Sequence, residues 1–301
     1  MTISSKPNGS ESSLRYNQNP VIEFCTETVG ATKELLFAEP VVFIVITGEI
    51  CLRYGPEAYT IKAGQMGLLN RDILVEASFI KTLHINPEVD FIKCKLSITL
   101  LREFARMVAF ETSPSPGFIP VKIRSLGTRL NAYVDSLAGY FMPGRKISDR
   151  LVKLKLLELL FDMVEKDSQM LYQLLSSKHQ VYRCQHIVST VNDNLLNPYS
   201  ILELAQLAGR SLSSFKRDFQ AIYNMAPSTW IREKRLDKAQ QMIKYTPMSI
   251  TQICYSLGYE NTAHFSRLFK NFFGVQPKSL RSSINVNLVT VAEHIEDHVA
   301  A

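Results

Sequence analysis

The 301-residue chain contains no apolar stretch of the roughly 18 residues that a membrane-spanning helix needs. Its greasiest long segment, residues 151–164, is interrupted by Lys153, Lys155, Glu158 and Asp162. The first 18 residues are polar and lack the apolar core of a secretory signal. We therefore expect a cytoplasmic protein with no membrane partner.

Cysteine is scarce, scattered, odd in number and never in a C-x-x-C pair, which argues against a disulfide framework. The five cysteines are Cys25, Cys51, Cys94, Cys184 and Cys254. We expect reduced thiols that are mostly buried. Cys51 and Cys94 lie in apolar strands, where a redox sensor is the alternative but burial predicts inert thiols.

Catalytic and nucleotide-binding motifs are also missing. The sequence has no G-x-S-x-G, no P-loop and no G-x-G-x-x-G. His294 and His298 have the i, i+4 spacing of a helical metal pair, but their acidic neighbours predict a solvated face. We therefore predict no enzymatic activity, no metal and no cofactor.

The chain does have an uneven charge within its formal net charge of +6. Residues 181–284 contain 13 basic and 6 acidic side chains, a net charge of +7. Residues 1–180 are near neutral at +2, and residues 285–301 have a net charge of −3. A basic segment of this size favours a polyanion as partner, with a merely solvated basic surface as the alternative.

Hydrophobic periodicity changes at Ser97. Residues 20–97 consist of short β-branched or alternating runs, such as 41–46, with turn signals about every 8–12 residues, which predicts a small barrel or sandwich. After Ser97 the apolar residues follow helical spacing. The three stripes are Leu100, Leu101, Phe104, Met107 and Val108; Leu126, Leu130, Tyr133, Leu137 and Phe141; and Leu154, Leu157, Phe161 and Val164. These stripes must pack on the barrel, on each other or on a second copy of the chain.

An internal repeat is the most informative feature. Ser200–Gly209 aligns with Ser249–Gly258 at an offset of 49, and one extra residue then changes the offset to 50. Each copy has a serine N-cap, a small residue at the helix crossing and a glycine in the turn, followed by a second cap. The crossing residues are Ala205 and Cys254, and the second caps are Ser211 and Asn261. This layout predicts two helix-turn-helix units.

The second helix of each unit has an apolar face and a polar face. The apolar faces are Leu212, Phe215 and Phe219, and Phe265, Phe269 and Phe272. The polar faces are Ser213, Lys216, Arg217 and Gln220, and Ala263, Ser266, Arg267 and Lys270. A helix fits the major groove of DNA, about 12 Å wide, and Arg or Lys can bond guanine O6 and N7. The alternative is an ordinary amphipathic helix, which the matched duplication disfavours.

Residues 228–245 between the units predict one continuous helix. Its apolar side consists of Trp230, Ile231, Leu236, Ala239, Met242 and Ile243. Arg232, Lys234, Arg235 and Lys238 are expected on exposed faces, where they contact phosphate or serve only solubility. A rigid helix here would place the two units on successive major-groove turns, about 34 Å apart.

Residues 183–283 resemble the DNA-binding domain of the AraC/XylS family of bacterial transcriptional regulators. The resemblance rests on Ser249–Tyr259, His264–Lys270 and Phe273–Pro277. It implies a seven-helix domain, and promoter DNA and RNA polymerase as partners. It also implies the base-facing residues Ser213, Lys216, Arg217, Thr262, Ala263, His264, Ser266 and Arg267. Ala263 departs from the larger polar residues often found at its position.

Members of this family often have an N-terminal cupin-like β-barrel followed by helices, used for effector sensing and dimerisation. Residues 20–97 look like such a barrel, with Gly48–Glu49 and Gly64–Gln65 at its hairpins. The region has one histidine, His84, and no H-x-H, so a metal-dependent cupin enzyme is a remote alternative. The order of segments also resembles activators of virulence secretion, whose N-terminal domain binds a protein antagonist instead of a small molecule.

We therefore predict an α+β protein with an N-terminal cupin-like β-barrel and helical dimerisation segment, followed by an all-α domain with two helix-turn-helix units. The predicted segments are a disordered N-terminus (1–19), the barrel (20–97), the helical dimerisation region (98–176), a linker (177–182), the DNA-binding domain (183–283) and an acidic tail (284–301). The predicted function is a homodimeric, sequence-specific transcription regulator, in particular an activator. Its effector, a small molecule or a regulatory protein, binds the N-terminal domain.

Overall fold

The computed structural model of the chain describes residues 13–80, 88–108, 118–141, 147–167, 174–175 and 181–283, without the side chains of 166 and 181–185. The chain divides near residue 181 into two compact units. The first is β-rich and the second is helical, which confirms the α+β class. None of the described helices combines the length and the apolar character needed to cross a bilayer.

The described strands of the first unit form two antiparallel sheets. They are β1 Ser13–Tyr16, β2 Asn19–Thr28, β3 Thr32–Leu36, β4 Val41–Thr47, β5 Glu49–Tyr54, β6 Glu57–Lys62, β7 Gln65–Leu69, β8 Leu74–Ile80, β9 Glu88–Lys95 and β10 Val121–Ser125. The strand orders are β1-β2-β9-β4-β7-β10 and β3-β8-β5-β6. Pairing among these described strands closes no barrel, so the predicted barrel takes the form of a two-sheet sandwich.

Glycines mark the corners of this sandwich. Gly48 (φ +76°) joins β4 to β5 and Gly64 (φ +78°) joins β6 to β7, and in both cases the chain passes from one sheet to the other. These turns are therefore not hairpins, contrary to the prediction. A Cβ on Gly48 would lie 2.7 Å from the Val89 side chain, so this corner has no room for a larger residue.

Strand β4 divides its side chains between two cores. Val41, Phe43 and Val45 pack between the two sheets. Val42, Ile44 and Ile46 pack against the helices that cover the other side of the six-stranded sheet. The run is buried on both faces, and this explains why its residues do not alternate between apolar and polar.

Three helices cover the six-stranded sheet: α1 Ile98–Met107, α2 Thr128–Ala138 and α3 Asp149–Lys166. The first two predicted stripes are largely confirmed, although Met107 is exposed. The third is only partly confirmed, because Val164 is buried and Leu157 packs against the core, but the buried side chains of α3 also include Val152, Leu156, Leu159, Leu160 and Met163. Leu154 is 60% exposed and Phe161 is also exposed. Since the apolar residues of α3 cover more than half of its circumference, their period could not identify the face that meets the sheet.

Two strands lie where the sequence predicted none. β1 pairs with β2 inside the segment expected to be disordered, and Leu14 is buried there. β10 pairs with β7 inside the segment expected to be helical, with Val121 opposite Leu69. Both depend on partners distant in sequence, which local pattern cannot supply. Residues 1–12, most of the predicted linker and the acidic tail lie outside the described residues.

The second unit contains α4 Val181–Asp193, α5 Ile201–Leu207, α6 Leu212–Tyr223, α7 Pro227–Tyr245, α8 Ile250–Ser256, α9 Thr262–Phe273 and the helical residues 277–283. Seven helical segments among the described residues agree with the resemblance. The continuous connecting helix is also confirmed, and it buries Trp230, Ile231, Leu236, Ala239 and Ile243.

Candidate nucleic-acid interface

The first helix of each helix-turn-helix unit begins with a capping box. Ser200 Oγ accepts from Glu203 N at 3.3 Å, and Glu203 Oε2 accepts from Ser200 N at 2.8 Å. The second copy repeats this with Ser249 and Gln252, at 3.2 and 2.8 Å. The backbone N–H of Ser200 lowers the pKa of the Glu203 carboxyl. Reciprocal bonds of this kind fix where each short helix begins.

The turn after each first helix is built in the same way in both copies. Gly209 has φ +63° and Gly258 has φ +75°, as the sequence predicted. The next residue donates its N–H back to the carbonyl of the crossing residue: Arg210 N to Ala205 O at 2.8 Å, and Tyr259 N to Cys254 O at 3.1 Å. This 6→1 bond with a left-handed glycine ends the helix as in a Schellman motif.

The caps of the second helices are also confirmed. Ser211 Oγ accepts from Ser214 N at 3.3 Å. Asn261 Oδ1 accepts from Ala263 N at 2.9 Å and from His264 N at 3.0 Å. At the far end, Gly274 (φ +77°) terminates α9, and Asn224 (φ +51°) occupies the equivalent place in the first copy. Sequence reasoning missed Asn224, although asparagine tolerates the left-handed region best after glycine.

Phenylalanines fix the inner faces of both second helices. Phe215 and Phe219 are fully buried with ring centroids 5.8 Å apart, and Phe265 and Phe269 match them at 5.9 Å. Phe272, predicted to face inward, is 44% exposed. The contact expected of it belongs to the next residue, whose ring lies 4.6 Å from Phe269. One residue along a helix is a rotation of about 100°, and this accounts for the error.

The predicted base-facing residues lie on the opposite faces of α6 and α9. Ser213, Lys216, Arg217, Gln220, Ala263, His264, Arg267 and Lys270 are exposed, and Thr262 and Ser266 are half-buried. The Arg217 side chain is 71% exposed, and it donates from Nε and Nη2 to Asp218 Oδ1, each at 3.3 Å. Each helix thus brings its set to one surface, and base contact by these residues stays a prediction.

Two arginines have structural roles that the sequence did not reveal. Arg235, predicted to be exposed, donates from Nε to Leu195 O at 2.8 Å and from Nη2 to Asn197 O at 2.6 Å. Arg281 donates from Nη2 to Ile243 O at 3.2 Å, at the end of α7. Both partners are carbonyls distant in sequence, so only the fold identifies these contacts. Arg232 and Lys238 are exposed as predicted.

Lys234 extends over the ring of Trp230, with Nζ 5.6 Å from the centroid, and is half-buried. Its charge is therefore less available to a phosphate than the sequence predicted. The aromatic face attracts the ammonium group and holds it against the helix.

The part of the chain that the structure describes contains no group of three or more His, Cys, Asp or Glu side chains able to hold a metal ion. His84, His294 and His298 lie outside it. Cys94 and Cys254 are buried, but Cys25 and Cys51 are only half-buried. The side chain of Cys184 is not described.

Comparison with known proteins gives a consistent result for both units. Residues 204–283 match a family model described as "Helix-turn-helix domain", and residues 40–174 match "ExsA N-terminal regulatory domain". HTH-type transcriptional regulator GbdR of Pseudomonas aeruginosa is 33% identical over 99 residues, which is 33% of this chain and 27% of GbdR. The virulence regulon transcriptional activator VirF of Yersinia enterocolitica is 29% identical over 91 residues, 30% of this chain and 34% of VirF.

These matches thus span about a third of the relatives' length. Among solved structures, the apo form of a ToxT variant from Vibrio cholerae has a TM-score of 0.47 at 14% identity. That alignment covers 88% of this chain and 98% of ToxT.

Proposed function

Because this chain belongs to the AraC/XylS family of bacterial transcriptional regulators, we propose that its helical unit binds promoter DNA in a sequence-specific way. We further propose that the bound chain activates transcription through contact with RNA polymerase. The supporting observation is the pair of helix-turn-helix units, with matched caps, matched left-handed glycines and matched buried phenylalanines, each with a basic exposed face.

Helix α7 sets the spacing between the two helix-turn-helix units. Its 19 residues span about 28 Å. Trp230, near the start of α7, contacts Phe219 of the first helix-turn-helix unit with ring centroids 5.8 Å apart. Leu236 and Ile243, further along, lie in the apolar core of the second unit. A helix packed at both ends supports binding to two successive major grooves on one face of the DNA, about 34 Å apart.

Selection from a random duplex library with the full-length chain, followed by mobility-shift titration, tests this function. We expect an enriched sequence with two conserved segments about one helical turn apart. Arg217→Ala and Arg267→Ala should each relax preference at one base pair, by about 1–3 kcal/mol. Lys244→Ala removes an exposed charge at the end of α7 and is the matched control, expected to affect all sequences equally. Failure to enrich any sequence over competitor DNA would refute the proposal.

Spacing gives a second test of the same geometry. Inserting about 5 bp between the two selected segments rotates one of them by half a turn around the DNA axis. If α7 couples the units rigidly, binding to the spaced site should fall to the level of a single segment. Unchanged affinity would mean that the two units bind independently.

We also propose that the chain forms a homodimer through the outward face of α3. This face exposes Leu151, Leu154 and Phe161, with Met107 of α1 also exposed. Exposed large apolar side chains on one helix favour a protein partner, and a second copy is the partner that a symmetric regulator offers. Sedimentation of Leu154→Ser should show a monomer, while Arg150→Ser on the same helix should remain dimeric. A dimeric Leu154→Ser variant would exclude this face.

Regulation by an effector at the β-rich unit is the remaining part of the proposal. The match of residues 40–174 to a regulatory-domain model supports it. A thermal-shift screen with small molecules and a pull-down from lysate distinguish the two kinds of effector. A stabilising compound that changes operator affinity supports the small molecule, whereas a captured protein that changes it supports the protein antagonist.

A further inference from the structure

Asp218 is an acidic side chain buried beside the exposed face of α6. It is 9% exposed, and no other acid among the described residues of the helical unit is buried to this degree. Its Oδ2 lies 3.3 Å from Arg210 Nη2. Its Oδ1 accepts from Arg217 Nε and Nη2, both at 3.3 Å. The carboxylate therefore bridges two arginines, of which one is internal and the other belongs to the predicted base-facing set.

The second helix-turn-helix unit shows that the fold does not require this acid. At the offset of 50 residues, Leu268 takes the place of Asp218 and packs against the apolar core, while Tyr259, which forms the same turn hydrogen bond as Arg210, replaces that arginine. Burying a carboxylate costs solvation free energy that a leucine does not cost. The first unit retains the acid next to Arg217, whereas Arg267 of the second unit has no carboxylate at the equivalent position.

The contact leaves a defined part of the Arg217 guanidinium group available. Arginine has five N–H donors in a planar fork. Asp218 occupies the edge formed by Nε and Nη2, so the end of the fork, with one N–H from each Nη, stays open. Two parallel N–H groups are what guanine O6 and N7 accept. An arginine held by one edge also loses less side-chain entropy on binding, because part of its freedom is already restricted.

We propose that Asp218 is a positioning residue that holds Arg217 by its side edge and presents the end of its fork to a guanine. This inference rests on the proposed function, in which Arg217 contacts a base. The negative charge of Asp218 lowers the attraction of this surface for any DNA phosphate, so the pair exchanges general affinity for preference at one base pair.

A double-mutant cycle in the full-length chain tests the inference. Arg217→Ala, Asp218→Asn and the double variant are titrated against the selected operator and against every single base-pair substitution of it. We expect Asp218→Asn to reduce preference about 3- to 30-fold at the same base pair as Arg217→Ala, and to have no further effect in the Arg217→Ala background. Affinity for unrelated DNA should be unchanged or higher, since one negative charge is lost.

Two further variants separate positioning from stability. Arg210→Gln removes the internal ion pair but leaves the Arg217 contact, so it should lower thermal stability and keep the base preference. Asp218→Glu retains a carboxylate and should recover most of the preference. The emission of Trp230, the one tryptophan of the chain and 5.8 Å from Phe219, reports whether the first unit is folded in each variant.

The outcomes distinguish the inference from the function beneath it. If Asp218→Asn lowers preference equally with and without Arg217, Asp218 does not act through Arg217 and the inference is wrong. If Arg210→Gln loses the same preference as Asp218→Asn, the effect is one of stability and the inference is again wrong. If Arg217→Ala itself weakens all sequences equally, Arg217 contacts phosphate, and the proposed base contact fails instead.

Discussion

Asn261 allows the stability of helix α9 to be separated from its charge. Its Oδ1 accepts from Ala263 N and His264 N, at 2.9 and 3.0 Å. Asn261→Ala removes this acceptor, and loss of such a cap costs about 1 kcal/mol. Since RT is about 0.59 kcal/mol, the first turn of α9 should open about fivefold more often. That turn includes the predicted base-facing residues Thr262, Ala263 and His264, so DNA affinity should fall with it.

Asn261→Asp keeps the acceptor and adds a negative charge at the N-terminus of the helix. The charge should stabilise α9 by about 0.3–1 kcal/mol through the helix dipole. The same charge should oppose binding if this end of α9 approaches the DNA backbone. Because it offsets about one neutralised phosphate, the slope of log affinity against log salt should become shallower by about 0.9. Helix stability and DNA affinity should therefore change in opposite directions.

Hydrogen exchange of the amides at 262–264 measures the cap, and titrations between about 50 and 200 mM salt measure the charge. Gln241→Asp adds the same charge at an exposed site of α7 and serves as the control. Exchange in Asn261→Asp as fast as in Asn261→Ala would refute the capping role. Wild-type affinity and salt dependence in Asn261→Asp would refute the placement of this helix end against phosphate.

Three further predictions concern the fold itself. Gly209→Ala should destabilise the helical unit by about 1–2 kcal/mol in urea unfolding followed by Trp230 fluorescence. The reason is its φ of +63° alone, because a Cβ there meets no atom within 4 Å. Arg235→Lys should lower the free energy of unfolding by about 1–3 kcal/mol through loss of the paired carbonyl contacts, while the exposed Arg232→Lys should change it little. Burial raises the pKa of the Cys94 thiol to about 12, so residue-resolved alkylation at pH 8 should be slow until the chain unfolds, and rapid labelling of the folded protein would contradict this.

The sequence predicted the helix-turn-helix units well because their determinants are local. A capping box joins residues three apart, as in Ser200 and Glu203, and a left-handed glycine such as Gly258 needs no distant partner. Duplication added a second reading of every local signal. The same reasoning identified which side of α6 and α9 is polar, although it assigned Phe272 to the wrong face.

Prediction failed where a residue's role depends on a distant partner. β10 is a strand because β7 offers it an edge, and Arg235 is internal because the carbonyls of Leu195 and Asn197 lie within its reach. The buried face of α3 was only partly predicted because its apolar residues cover more than half of the helix circumference, and only contact with the sheet selects which of them are buried. Asp218 was overlooked since its partners, Arg210 and Arg217, meet only once the turn has formed.

The continuity of α7 makes operator spacing a matter of helical phase. Each residue of an α-helix advances about 1.5 Å and rotates about 100°. One alanine inserted between Trp230 and Leu236 would thus turn the second helix-turn-helix unit by more than a quarter of a circle, so that α9 would no longer face the groove proposed for it. Seven inserted residues would nearly restore the angle but move the unit along the helix axis by about 10 Å, or some three base pairs, over which the DNA itself turns by about 100°. The spacing of the two DNA segments is thus tied to the number of residues in α7, and any change in that number must satisfy the periods of both the protein helix and the DNA helix.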